Sequence, residues 1–134
     1  MKKPTFKAEV GKKGEDLACQ YLESKGFSIV SRNYRKPWGE IDIIGKKAKN
    51  LHFIEVKTVT RENLAGLKLG EGDQYRPEDN VHPWKLKRLS RTIQTYLLEK
   101  EIPEDRVWQF DVITVYLDPI KKQAKVSFIE DIVL

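Results

Sequence analysis

Cysteine is nearly absent: Cys19 stands alone among 134 residues, which excludes an internal disulfide and a Cys-rich zinc site. Histidine is almost as scarce. His52 and His82 do not have zinc spacing, and there is no Ser/His/Asp grouping and no glycine-rich phosphate cradle. No stretch approaches the ~18 consecutive apolar residues of a membrane span. Met1 to Lys7 is basic but leads into no apolar run, so it does not read as a secretory signal. The expectation is a cytoplasmic protein without a membrane partner. Internal repeats and low-complexity segments are also missing. What is plentiful is charge, at 34% of residues against roughly 25% for an average soluble domain. Lys plus Arg is 25 and Asp plus Glu is 20, a net charge of +5, which permits a polyanionic partner without requiring one. The hydrophobic 40% is modest but supports a core at this length.

The length suits one domain, read as residues 11–134 behind a basic leader, 1–10. A first helix is predicted from about Lys12 to Lys25, with Leu17, Ala18, Tyr21 and Leu22 on one face. Glu15 and Asp16 then fall in its first turn, where the helix dipole favours acids, and Gly26 stops it. Phe27 to Tyr34 reads as a strand, followed by the turn Pro37-Trp38-Gly39. Two apolar runs, Glu40–Gly45 and Leu51–Thr58, flank Lys47-Ala48-Lys49-Asn50 and suggest a hairpin. Residues 59–82 hold few apolar groups and read as a long, functional or mobile loop. Pro83 suits a first helical position. The helix it opens, to about Lys100, carries Leu86, Leu89, Ile93, Tyr96 and Leu97 on one face. Trp108 to Leu117 reads as a strand, Asp118-Pro119 as a turn and Lys125–Ile129 as a last strand. The predicted class is an α/β sandwich around a mixed sheet.

Chemistry is concentrated in the hairpin. Leu51-His52-Phe53-Ile54 is apolar on both faces apart from His52, the pattern of a central strand covered on both sides. It then delivers Glu55 and Lys57 to a single face. A hairpin pairing positions that sum to 97 sets Ile44 against Phe53, Asp42 against Glu55 and Glu40 against Lys57. Opposed side chains have Cβ atoms roughly 4.5–5.5 Å apart. Two carboxylates about 4 Å apart repel by roughly 4 kcal/mol at an effective dielectric of 20, so the pair needs a shared proton or a cation. All-oxygen ligation suits Mg²⁺ or Mn²⁺, and such an ion, completed by waters and a phosphate, performs phosphoryl chemistry. The blander reading is an ion network in which Glu40 pairs with Lys57 and Asp42 takes backbone donors. Glu-x-Lys alone decides nothing, because Glu23-Ser24-Lys25 repeats it at the end of a helix.

Taken together, Gly39-Glu40-Ile41-Asp42-Ile43-Ile44 and Phe53-Ile54-Glu55-Val56-Lys57-Thr58 resemble the YraN-like family of small bacterial proteins. Gly14-Glu15, Ala18, Tyr21-Leu22, Arg32-Asn33-Tyr34-Arg35, Val81, Pro83, Lys85, Arg88-Leu89, Tyr96-Leu97 and Phe110-Asp111-Val112 extend the resemblance over roughly residues 11–117. That family is regarded as part of the restriction-endonuclease-like PD-(D/E)xK superfamily, near the archaeal Holliday-junction resolvases. The resemblance implies an αβββαβ nuclease core that cuts DNA, structured or branched, to leave a 5′-phosphate. It implies Mg²⁺ or Mn²⁺ at Asp42 and Glu55, a catalytic Lys57, and Glu15 as an accessory metal or water ligand. It also admits a homodimer, since junction resolvases are dimers. Two features depart from the pattern: Val59 stands where relatives often carry Arg, and Leu64–Asp79 is longer than usual.

Lys85, Arg88 and Arg91 share one side of the second helix. They read either as phosphate contacts without sequence readout or as a solvated face. Trp38 and Trp84 either pack or stack on unpaired bases. Asp111 is either a further acid near the site or a strand group bonded to backbone. His52 reads as a core or edge group, His82 as a loop residue and Cys19 as helix packing. Three functions follow from these alternatives: a metal-dependent endonuclease, a non-catalytic nucleic-acid-binding module of the same fold, and a plain interaction domain.

Overall fold

The computed structural model describes residues 5–61, 64 and 83–134. Seven elements follow in order: α1 (Phe6–Ser24), β1 (Ser28–Lys36), β2 (Gly39–Lys47), β3 (Asn50–Thr60), α2 (Pro83–Glu99), β4 (Trp108–Asp118) and β5 (Gln123–Ile129). The strands form one sheet in the order β1-β2-β3-β4-β5. All neighbours are antiparallel except β3 and β4, which run parallel on either side of the α2 crossover. The predicted mixed α/β class and its αβββαβ core are therefore what the chain adopts. No helix among the described residues is long and apolar enough to cross a membrane.

Helix α1 begins six residues before the predicted Lys12. Thr5 provides the reason: its Oγ1 accepts the Ala8 N–H at 3.1 Å, satisfying one of the donors a helix start leaves open. Residues 6–10 of the supposed leader are thus helical, and the first-turn acid is Glu9. Glu15 and Asp16 stand mid-helix, so the dipole reading given to them is corrected. The predicted loop 59–82 is shortened at its start because β3 runs to Thr60. Leu64 is buried, while residues 62–63 and 65–82, including Val81 and His82, lie outside the described residues.

Two apolar layers clamp the sheet. On one face, Ala18, Cys19 and Leu22 of α1 pack on Phe27, Ile43, Ile54, Ile113 and Val115, and burial pushes the Cys19 thiol up from its ordinary value. On the other, Ile93 and Tyr96 of α2 pack on Ile41, Ile44, Phe53, Phe110 and Val112. Both faces of β3 are covered, as its unbroken apolar run predicted.

Helix α1 lies close enough to β3 that Gly14 has no room for a side chain. A Cβ there would sit 1.9 Å from Thr58 Oγ1 and 2.8 Å from its Cγ2. Gly11, in the same helix, has nothing within 4 Å. The two glycines should therefore respond oppositely to alanine. Gly11→Ala is expected to gain up to about 1 kcal/mol from helix propensity, while Gly14→Ala loses about 1–2 kcal/mol through overpacking. Urea denaturation of both variants checks this, and a stable Gly14→Ala would mean that α1 does not dock at that distance.

Candidate active site

The hairpin register is the one predicted. Ile44 pairs with Phe53, Ile43 with Ile54, and Lys47 with Asn50. The turn itself is shorter, because Ala48 adopts a left-handed φ of 54° and lets β2 and β3 extend to Lys47 and Asn50. The ladder does not continue in the other direction, however. It ends at Ile43–Ile54, so the predicted cross-strand pairs Asp42–Glu55 and Glu40–Lys57 are not formed as ladder pairs. In place of a strand carbonyl, the Asp42 Oδ2 accepts the Val56 N–H of β3 at 2.8 Å. The backbone donor foreseen in the blander reading is thus real.

The cause lies one strand further out. Strict alternation would keep Ile41 and Ile43 on one face, yet Ile41 packs on the α2 side and Ile43 on the α1 side. Strand β1 does the same, with Arg32 bonded to the acids of α1 and Tyr34 packed on the α2 side. Between them Asn33 has φ 54°, a left-handed backbone that Asn tolerates better than most side chains. Arg32 pairs with Ile43 and Tyr34 with Ile41, so Asn33 and Asp42 sit at the same rung. Both strands change face there, and that change brings the Asp42 carboxylate onto β3.

Asp42 consequently lines two cavities. The larger, about 560 Å³, is bounded by the β1–β2 turn, the start of α2, and Glu55 on β3. The smaller, about 300 Å³, lies on the α1 side and includes Glu15, Asn33, Val56 and Thr58. Asp42 and Glu55 share the first cavity, and Asp42 and Glu15 share the second. The three acids do not converge as one ligand set: among the described residues, no three His, Cys, Asp or Glu side chains form a group that could hold a metal. Glu15 is otherwise engaged. Its Oε1 accepts from Arg32 Nε at 2.9 Å and from Asn33 Nδ2 at 3.0 Å. Arg32 also donates to Asp16 at 2.7 Å, and that bond lowers the Asp16 pKa.

Asp42 is electrostatically uncomfortable. Burial pushes its pKa up from 3.8 to about 6; the Val56 N–H works against the rise, and the charges of Glu55, Glu40 and Glu15 add to it. A half-buried carboxyl among three further acids has the profile of a cation site or a proton-holding group. Glu40 takes Arg35 as an ion-pair partner at 3.2 Å. Lys57 is exposed and shares a face of β3 with Glu55, because the unbroken β3–β4 ladder preserves alternation there.

The basic residues of α2 do converge on this place. Lys85 Nζ lies 3.4 Å from Glu55 Oε1. Lys85 and Arg88 line the larger cavity. The Arg91 guanidinium lies over the Trp38 ring, 4.2 Å from its centroid, and that of Arg88 over Trp84 at 4.3 Å. Asp111 is elsewhere, fully buried, with His52 Nδ1 2.7 Å from its Oδ2. Its Oδ1 accepts from Gln109 Nε2 at 2.8 Å and from the Asp131 N–H at 2.9 Å. Sequence reasoning missed the His52–Asp111 pair, and only the parallel β3–β4 register could have suggested it.

Residues 14–115 match the model described as Uncharacterised protein family UPF0102. A UPF0102 protein of Campylobacter lari is 38% identical over 118 residues, covering 88% of this chain and 93% of its own length. One from Dictyoglomus turgidum is 36% identical over 111 residues, covering 83% and 85%, and one from Campylobacter fetus is 35% identical over 118 residues, covering 88% and 93%. None of these descriptions names a reaction, a metal or a ligand.

Proposed function

The chain belongs to the uncharacterised protein family UPF0102, whose name carries no reaction, and from its geometry we propose that it is a metal-dependent endonuclease acting on structured or branched DNA. The observation that carries this reading is the Asp42–Glu55 pair. Two carboxylates open onto one cavity, and the Asp42 pKa is raised to about 6 by burial and by its acidic neighbours. The resemblance to the restriction-endonuclease-like superfamily points the same way.

The donor set fits Mg²⁺ or Mn²⁺, which commonly take one or two carboxylates and leave the remaining positions to water and phosphate. Asp42 and Glu55 would hold the ion. When bound, it supplies Lewis-acid polarisation of the phosphodiester and a more acidic attacking water. Asp42 is kept in place by the Val56 N–H. Lys57, one alternation beyond Glu55, provides an ammonium where negative charge accumulates in the transition state. Lys85, Arg88 and Arg91 contact flanking phosphates, which fixes position without reading sequence. Glu15 acts indirectly, because its bonds to Arg32 and Asn33 hold the rung on which Asp42 sits.

A second reading, the non-catalytic nucleic-acid-binding module, is favoured by the Lys85–Glu55 contact, which already gives Glu55 a counter-charge. The magnitude is against it. The Lys85 side chain is 51% exposed and the separation is 3.4 Å, and such pairs contribute about 0–1 kcal/mol. A divalent ion displaces a partner held that weakly.

The test is a panel of labelled junction, flap and linear DNAs with Mg²⁺ or Mn²⁺. Wild type is expected to cut at least one branched substrate. Glu55→Gln and Lys57→Ala are each expected to slow cutting by about 100-fold or more. Salt-sensitive binding with no cutting of any substrate selects the binding module, and undiminished cutting by Lys57→Ala removes the lysine from the mechanism.

A further inference from the structure

The larger cavity has aromatic walls as well as acids. Trp38 comes from the β1–β2 turn and Trp84 from the first turn of α2, and both line the cavity that holds Asp42 and Glu55. Neither behaves as a core residue. Trp84 is 51% exposed, and the guanidinium of Arg88, one helical turn on, lies over its ring. Trp38 has Arg91 over its ring in the same way, and its Nε1 is buried without a hydrogen-bond partner among the described residues. Trp108, by contrast, packs edge-on against Phe53 within the α2-side core.

We infer that these two arginine-backed indoles are stacking platforms for unpaired bases of the DNA strand presented to Asp42 and Glu55, so that the substrate is DNA with unstacked nucleotides beside the cut. This inference rests on the endonuclease reading and narrows its substrate class to flaps, gaps and opened junction arms. A volume of about 560 Å³ is that of a small-ligand pocket and has room for a nucleotide-sized group. Bases within an intact duplex already cover each other's faces, so they have none to offer an indole. An unpaired base does, and stacking on an aromatic side chain contributes about 1–3 kcal/mol per base without sequence preference. The guanidinium over each ring adds a cation–π contact and places positive charge beside the stacked base, where the phosphates run.

The experiment is anisotropy titration in EDTA with two labelled probes, a short oligothymidylate and a DNA hairpin duplex of equal length. Wild type is expected to prefer the oligothymidylate. Trp84→Ala should weaken that binding about 5- to 150-fold and change duplex binding less than about twofold. Trp84→Phe should restore most of the loss, because a phenyl ring still stacks. Three results overturn the inference: equal or tighter wild-type binding to the duplex, an equal loss on both probes in Trp84→Ala, or no loss on either. No metal is present, so none of these outcomes bears on Asp42 and Glu55, whose reading stands or falls on the cleavage panel.

Discussion

Asp42→Asn is expected to make the protein more stable and to abolish its metal-dependent activity at the same time. A carboxyl whose pKa is about 6 when folded and 3.8 in its ordinary state binds its proton more tightly in the native protein. Between those values the folded form carries the extra proton, so stability falls as pH rises through this window. Above about pH 6 that favourable contribution is gone, and the ionised group is a net cost of about 3 kcal/mol. An amide carries no charge, and its Oδ1 still accepts the Val56 N–H. At pH 7–8 without metal, Asp42→Asn should therefore raise Tm by roughly 5–10 °C. Wild type should lose stability from pH 4 to 6, and the variant should lack that slope.

Metal reverses the order. Anything bound only by the native state stabilises it by mass action, so Mn²⁺ should raise the Tm of wild type and leave that of Asp42→Asn unmoved. Calorimetry should show heat of Mn²⁺ binding for wild type alone, and cleavage by the variant should fall by about 100-fold or more. A lower Tm for the variant at pH 7–8 would mean that Asp42 is a structural group satisfied by Val56. Retained Mn²⁺ binding would take Asp42 out of the ligand set. The opposed signs matter because a merely damaged protein loses stability and activity together.

How much of this was legible in the sequence divides along local and non-local lines. The apolar run Leu51–Ile54 announced a central strand, because burial on both faces leaves no alternation to find. The pairing sum of 97 survived even though the turn was shortened at Ala48, since register is held by which residues are apolar more than by the turn. The end of the ladder was not legible. It depends on the left-handed backbone at Asn33, a residue in another strand whose effect is transmitted to Asp42 across the sheet. The partners of Glu15 were hidden for the same reason, because they belong to β1 and become neighbours only after α1 docks. The basic residues of α2 could be assigned to one side by spacing alone, but that this side faces Glu55 and Trp38 required the crossover to be folded.

The second large effect concerns a group far from the proposed chemistry. Asp111→Ala is expected to cost about 3–5 kcal/mol, the range for removing one partner of a buried pair, from a total that for domains of this kind is about 5–15 kcal/mol. The reason is the number of donors it leaves behind. Asp111 is fully buried and serves His52, Gln109 and the Asp131 N–H together, and each donor left unsatisfied incurs its own desolvation penalty. Two of these bonds are long-range: one ties β3 to β4, and the other, with the Ile132 N–H donating to the Phe110 carbonyl, holds the chain after β5 against β4. Alanine releases both. Asp111→Asn keeps one acceptor and turns the other into a donor. A loss well below that of alanine would show that one accepting oxygen holds most of the network, and an equal loss would show that both oxygens are needed. Urea denaturation with an unchanged m-value is the measurement. A loss below about 1 kcal/mol in Asp111→Ala would mean that the network is not formed in solution.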